Sequence, residues 1–226
     1  MEKFLGILFA GGKGTRLGLI TDYISKAFVP IYDRPVFMYP LKQLQDSEYI
    51  NEIIILTRPE NNNKLSKLEY GTIIQDDEKV KDMFSGLKFI KEKINTDKNF
   101  VLMPCDNISE IDIDKVIEIF NSSKNNVDIT FNLKRIDNSN KLKEMGVYDF
   151  DDKSVIYKPG KLPSNYGVIT PYIVKNEFNF EYNKEHNIIN DAIHSFNEYN
   201  SYWFDVGDRN SVIKAANFIR GIKSNV

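Results

Sequence analysis

Between Leu8 and Arg16 the chain reads Leu-Phe-Ala-Gly-Gly-Lys-Gly-Thr-Arg, an apolar run that stops abruptly and becomes a glycine-rich loop closed by a cation. A short run of Ile, Leu and Phe suits a buried strand. Gly11, Gly12 and Gly14 let backbone N–H groups face an anion with no Cβ in the way. Arg16 can then meet phosphate oxygens bidentately. The fold must therefore bring the end of a core strand to a surface that an anion can reach. The loop is not the dinucleotide fingerprint, whose third glycine would fall at Leu17, nor a Walker A loop, because Gly12-Lys13 is followed by Gly14. By itself it is also compatible with a plain turn.

The rest of the pattern says what surrounds that strand. Tyr39 to Tyr49, with Leu41 and Leu44 at helical spacing, predicts an amphipathic helix, and Ile53-Ile54-Ile55-Leu56-Thr57 is the continuous apolar run of a parallel strand buried on both faces. Strand, helix, strand implies a right-handed crossover and a doubly wound sheet. Residues 59–69 are polar and asparagine-rich and are left as loop or helix; Gly71 to Gln75 is a short strand. Asp82 to Ile94 carries Met83, Leu87, Ile90 and Ile94 on one stripe and reads as a helix. Phe100 to Met103 is the next buried strand. It ends at Cys105-Asp106-Asn107, placing an acid at the C-terminal end of a parallel strand, where open α/β sheets bind ligands.

Asp112 is placed to cap a helix over Ile113 to Phe120. The strict alternation from Val127 to Leu133 predicts a half-exposed strand. Short strands over 146–150, 154–159 and 167–169 are expected to form a smaller sheet layered on the first half. A helix over Ile188 to Phe196, a last strand over Tyr202 to Gly207 and a closing helix over Asn210 to Ile222 complete the reading. The expectation is an α/β, Rossmann-like, doubly wound and mostly parallel sheet with a smaller β-sheet layer. It is carried by one domain over 1–226, with halves of about 1–135 and 136–226.

Composition narrows the partners. Thirty basic against 32 acidic residues leave a net charge of -2, which gives no global attraction to nucleic acid or an anionic membrane. The N-terminus lacks a signal-peptide layout and no stretch approaches the roughly 18 apolar residues of a membrane span, so a cytoplasmic protein is expected. The single cysteine, Cys105, excludes an intramolecular disulfide framework and is read as a buried structural thiol rather than a nucleophile. His186 and His194 fit neither a zinc-site spacing nor a triad, and are assigned to surface or packing.

The opening motif, followed by Ser25-Lys26 and by Val29-Pro30-Ile31-Tyr32-Asp33-Arg34-Pro35, closely resembles that of the sugar-1-phosphate nucleotidylyltransferase family. Within that family it is most similar to the glucose-1-phosphate thymidylyltransferases. Cys105-Asp106-Asn107, Lys158-Pro159, Ser164-Asn165-Tyr166 and Trp203-Phe204-Asp205-Val206-Gly207 fall in the family's order. The resemblance implies that a sugar-phosphate oxygen attacks the α-phosphorus of a nucleoside triphosphate and pyrophosphate leaves, a task of positioning and electrostatics. It assigns nucleotide binding to Leu8, Ala10, Gly11, Gly12, Gly14, Thr15, Arg16, Lys26 and Gln75. Catalytic roles fall to Arg16, Lys26 and Lys158, the acceptor site to Gly146, Tyr157, Lys158 and Ile169, and Mg²⁺ to Asp106 and Asp205, two carboxylates being a usual protein share for this hard cation. The implied partners are nucleoside triphosphate and sugar phosphate, with a homodimer or tetramer as a family expectation and surface-glycan synthesis as the destination.

The sequence also departs from the family. Gln75 matches its base-reading Gln, but the following Asp76-Asp77-Glu78-Lys79-Val80-Lys81 lacks the family's loop glycine and leucine, leaving dTTP, UTP and CTP open. Met145, Tyr157, Ile188 and Pro171 stand where the family has Tyr, Glu, Glu and Gly. Carboxylates that hold sugar hydroxyls are thus replaced, so the acceptor is expected to be glucose 1-phosphate by analogy alone, or a modified sugar phosphate or other phosphorylated compound. The chain ends soon after Asp205, without the family's C-terminal helical extension, and no end-product inhibition through that extension is expected. A non-catalytic, nucleotide-sensing member would lose the charged residues first, and Arg16, Lys26, Asp106, Lys158 and Asp205 are all present.

Overall fold

The computed structural model describes residues 3–75, 77–123, 126–181 and 185–224; Asp76, expected in the base loop, and the side chain of His186 lie outside the described residues. Four parallel strands carry the first half in the spatial order Asn99–Pro104, Phe4–Ala10, Ile50–Thr57, Gly71–Ile74. Their apolar runs are continuous because both faces are covered. Phe4, Leu8, Ile53, Ile55, Val101 and Met103 point into one core cluster, while Leu5, Ile7, Ile54, Leu56, Phe100 and Leu102 point into the other. Each such buried side chain contributes about 1.5–3 kcal/mol relative to exposure.

Helices close both faces. Met38–Asp46 and Ile113–Ser122 bring Leu41, Leu44, Val116 and Ile117 to the first cluster; Met83–Lys91 brings Phe84, Leu87 and Ile90 to the second. Asp112 accepts the Lys115 N–H at 3.2 Å and is the N-cap expected of it, while Asp82, read as the first helical residue, accepts the Ser85 N–H at 2.9 Å and caps the helix instead. Residues Pro59–Leu65, left open by the sequence, form a helix with proline in its first turn.

The second half corrects several expectations. Gly146–Asp149, Ser154–Tyr157 and Tyr166–Val174 do not lie as a layer on the central sheet. They extend it by antiparallel pairing, Tyr166–Val174 joining the edge of Asn99–Pro104. The alternating segment forms the strand Ile129–Arg135, but it is not half-exposed. Its polar positions Thr130 and Asn132 are buried and satisfied internally, by Ser195 Oγ at 2.7 Å and by the Pro171 carbonyl at 2.9 Å. The helix expected over Ile188 to Phe196 is Glu185–Asp191. Asp128 accepts the Ile193 N–H at 3.0 Å and turns the chain into the strand His194–Glu198, parallel to Ile129–Arg135. The first helix stops at Asp46 because Tyr49 already serves the sheet, its carbonyl accepting from Phe4 N–H at 3.0 Å. Among the described residues, no helix is long and apolar enough to cross a membrane.

Candidate active site

All four parallel strands point their carboxyl ends at one edge, and the loops leaving that edge carry most of the candidate residues. After Ala10 the chain runs through Gly11 to Gly14 into the 3-10 turn Thr15–Leu17. Gly14 has φ +65°, and a Cβ there would meet Thr21 Cγ2 at 2.8 Å, so this turn demands glycine. The Thr21 hydroxyl donates to the Gly14 carbonyl at 3.2 Å and to the Gly18 carbonyl at 3.0 Å, bracing the loop. Leu8 and Ala10 are buried in the core, so they act through the backbone they hold; Thr15 and Arg16 are exposed.

The next strand delivers the first acid. The ladder between Asn99–Pro104 and Phe4–Ala10 runs one step further, Cys105 N–H donating to the Phe9 carbonyl at 3.0 Å, and this sets Asp106 beside the glycine loop. The Lys26 ammonium, in the 3-10 turn Lys26–Phe28, forms an ion pair with Asp106 Oδ2 and both side chains are nearly buried. Burial, the largest single influence, pulls the Lys26 pKa down, yet Asp106 together with Cys105 and Asp205 leaves it raised and Lys26 firmly charged. Cys105 is buried behind this pair. Desolvation, then the Asp106 charge, pushes its thiol up to about 12, which agrees with an inert structural role.

The second acid comes from the far end of the chain. Asn107–Ser109 pairs antiparallel with Trp203–Asp205, Asp205 opposite Asn107, and Val206 N–H donates to the Asp106 carbonyl at 2.9 Å. Asn107 Oδ1 pins this register by accepting from Trp203 Nε1 at 2.9 Å and from the Thr170 hydroxyl at 3.0 Å. Asp205 therefore meets Asp106 side chain to side chain. Desolvation, then the Asp106 charge, raises its pKa to about 6. Arg16 reaches across to Asp205 Oδ2 at 4.0 Å. Gly207 leaves room for it, since a Cβ there would stand 2.4 Å from the guanidinium.

The donor chemistry fits a hard divalent cation. Two carboxylates converge, one of them held at an elevated pKa by burial and by the charge of the other, and anionic oxygens are the ligands such a cation takes. Lys26 and Arg16 flank the pair, so the same spot has cations for phosphate oxygens.

Gln75 sits at the neighbouring strand end, its N–H donating to the Thr57 carbonyl at 2.8 Å and its Nε2 to the Gly11 carbonyl at 3.3 Å. The base-loop and phosphate-loop expectations thus meet. The residues expected at the acceptor site form a separate group. Gly146 pairs with Tyr157, Lys158 N–H donates to the Met145 carbonyl at 2.9 Å, and the half-exposed Lys158 Nζ lies 3.3 Å from Glu144 rather than against Asp106 or Asp205. Ile169 is buried in the core cluster that also holds Ala10 and Cys105, and Ile188 in the opposite one. His194 packs against Phe131 and contacts the Tyr148 hydroxyl at 3.3 Å, in keeping with a packing role. Asn107, Gly207 and Asp77 escaped the sequence reading. The first two lay inside quoted motifs, and only their pairing in space shows what they hold.

A family model described as nucleotidyl transferase matches residues 5–221. The glucose-1-phosphate thymidylyltransferase of Neisseria meningitidis serogroup A is 44% identical over 63 residues, 28% of this chain and 22% of that protein. The matched stretch thus spans less than a quarter of that relative's length. A Caenorhabditis elegans protein, translation initiation factor eIF2B subunit gamma, is 29% identical over 137 residues, 54% of this chain and 32% of its own. Among solved structures, a candidate glucose-1-phosphate thymidylyltransferase of Bacillus anthracis in complex with sucrose superposes with TM-score 0.80 at 21% identity, covering 96% of this chain and 95% of that one. The UTP-bound UGPase of Acinetobacter baumannii follows at 0.77 and 17%, covering 97% and 93%. At these identities the superpositions speak for the fold alone.

Proposed function

Because the chain belongs to the nucleotidyl transferase family, we propose that it transfers a nucleoside monophosphate from a nucleoside triphosphate, dTTP first, to a sugar 1-phosphate. Pyrophosphate is released and a nucleoside diphosphate sugar is formed. The chain is similar to thymidylyltransferases and to a translation-factor subunit alike, so the site must carry the argument for chemistry. The observation that carries it is the convergence of Arg16, Lys26, Asp106 and Asp205 at the end of the glycine loop, from four stretches of chain.

In this reading the backbone of Gly11, Gly12 and Gly14 cradles the triphosphate, and Arg16 and Lys26 hold the β- and γ-phosphates as they become pyrophosphate. Asp106 and Asp205 would hold Mg²⁺, which when bound neutralises phosphate charge. Arg16, 4.0 Å from Asp205 and exposed, would be free to turn toward phosphate. Lys158, on its own strand end, would leave Glu144 for the acceptor phosphate and orient the attacking oxygen. Buried Ile188 and exposed Tyr157 offer no carboxylate to sugar hydroxyls, which favours an acceptor with fewer hydroxyls than glucose. The product is proposed to feed surface-glycan synthesis in the cytoplasm. The test is pyrophosphate release with Mg²⁺ across a matrix of nucleoside triphosphates and sugar 1-phosphates. Turnover by at least one pair is expected; background rates for every pair would overturn the reading in favour of a nucleotide-sensing or scaffold role.

A further inference from the structure

One carboxylate ties the phosphate loop to the base side of the site. Asp77 Oδ1 accepts from Gln75 Nε2 at 2.7 Å; its Oδ2 accepts from an Arg58 guanidinium nitrogen at 2.8 Å and lies 3.6 Å from Lys13 Nζ, in the middle of the glycine loop. The hydrogen bond from Gln75, with Arg58 and Lys13 behind it, holds this carboxyl below the usual carboxylate range, so it is ionised and can only accept.

That fixes the Gln75 amide. A glutamine amide has one end that donates twice and one that accepts, and its two ends are otherwise interchangeable in shape. Here the Nε2 end faces Asp77 Oδ1 and the Gly11 carbonyl, two acceptors, so turning the amide over would set oxygen against both. The oxygen end lies over Gly11, 1.6 Å from where a Cβ on that residue would stand, and only glycine leaves it that place. Both hydrogens of the amide are committed, and Oε1 is the group left for a ligand: an acceptor and not a donor.

Pyrimidine bases differ at the atom such an acceptor would test. Thymine and uracil carry a donor N–H at N3, whereas cytosine carries a lone pair there. We propose that Asp77 is a positioning residue that locks the Gln75 amide with its oxygen toward the base, and so selects imide bases over cytosine. This rests on the nucleotidyl-transfer reading above and adds the residue that decides the base. Losing a hydrogen bond and meeting lone-pair repulsion in its place makes the unmatched base the worse substrate by about tenfold or more.

The experiment compares kcat/KM for dTTP, UTP and CTP at a saturating working sugar 1-phosphate in the wild type, Asp77→Ala and Asp77→Asn. Wild type is expected to prefer dTTP and UTP over CTP by about tenfold or more. Asp77→Ala frees the amide to turn, and the ratio should fall toward one with the KM for sugar phosphate unchanged. Asp77→Asn, whose carbonyl can still accept from Gln75, should restore most of the preference. Wild-type turnover of CTP on a par with dTTP, or an unchanged ratio in Asp77→Ala, overturns the role of Asp77 while leaving nucleotidyl transfer standing. Absence of turnover with every nucleotide overturns both.

Discussion

Asp205 and Asp106 make opposing demands on the protein, and replacing Asp205 by asparagine separates them. In the folded chain burial and then the Asp106 charge raise the Asp205 pKa to about 6, against about 4 in an unfolded chain. A raised folded pKa means that the folded state favours the protonated carboxyl. The associated stability is complete below about pH 4 and is lost as pH rises through about 6. Each tenfold change in proton affinity is worth 1.36 kcal/mol, so the full cost of ionising Asp205 above pH 7 is about 3 kcal/mol. The side chain is 35% exposed, and solvent screening reduces this to about 1.5 kcal/mol. Asparagine has the same shape, cannot ionise and can donate to the Asp106 carboxylate. Asp205→Asn in chelator at pH 8 should therefore melt about 3–6 °C above the wild type, at roughly 2–4 °C per kcal/mol for a domain of this size. The gain should fall by about half at pH 5, and adding Mg²⁺ should raise the melting temperature of the wild type but hardly that of the variant. Calorimetry across that pH range checks both arms. A variant that melts below the wild type at pH 8 without metal, or whose gain ignores pH, would show that Lys26 already compensates both carboxylates and would refute the reasoning.

Three further outcomes follow from the same geometry. Lys26→Met removes the nearly buried cation beside Asp106, and steady-state pyrophosphate release should drop by about 10²-fold or more, as for loss of one preorganised charge partner; activity within tenfold of wild type would take Lys26 out of the machinery. Asn107→Ala strips the shared acceptor from the Trp203 indole and the Thr170 hydroxyl, and two unsatisfied donors should cost at least about 2 kcal/mol in urea unfolding. A red shift in the fluorescence of Trp203, the one tryptophan, should accompany it. Cys105, 3% exposed, should resist iodoacetamide in the native protein and react fully in urea; ready alkylation of folded protein would contradict its burial.

What the sequence made legible was whatever a period or a local motif encodes. The runs at Ile53 to Leu56 and Phe100 to Met103 announce strands buried on both faces because helices cover both, and Asp112 announces a helix start because its cap bonds within four residues. The second half was harder because its polar residues are not where solvent is. Thr130 and Asn132 alternate with apolar neighbours as a half-exposed strand would, yet they are satisfied by Ser195 and the Pro171 carbonyl, partners 65 and 39 positions away. Phe196 continues a helical-looking spacing from Ile188, but it stacks on Phe131 in a neighbouring strand, and no local pattern encodes that choice. The two acids were found by motif, whereas Asn107, which aligns them, gave no signal of its own because its partners are Thr170 and Trp203.

The same distinction separates the parts of the site that are fixed by the fold from those that are free to vary. Asp106 and Asp205 are held by a sheet ladder and by a two-stranded ribbon whose register is pinned, so moving either requires moving a strand, while Arg16 and Lys26 stand in short 3-10 turns and meet these acids through ion pairs. Gln75 is held by one ladder bond, from its N–H to Thr57, but its amide donates to Asp77, a side chain that lies outside the strands. Lys158 and Tyr157 hang at the outer edge of the sheet, where Glu144 is the ion-pair partner of Lys158. On the proposed reading, substitution at Tyr157 or Lys158 would alter the acceptor and substitution at Asp77 the base, with the strands that carry Asp106 and Asp205 unchanged.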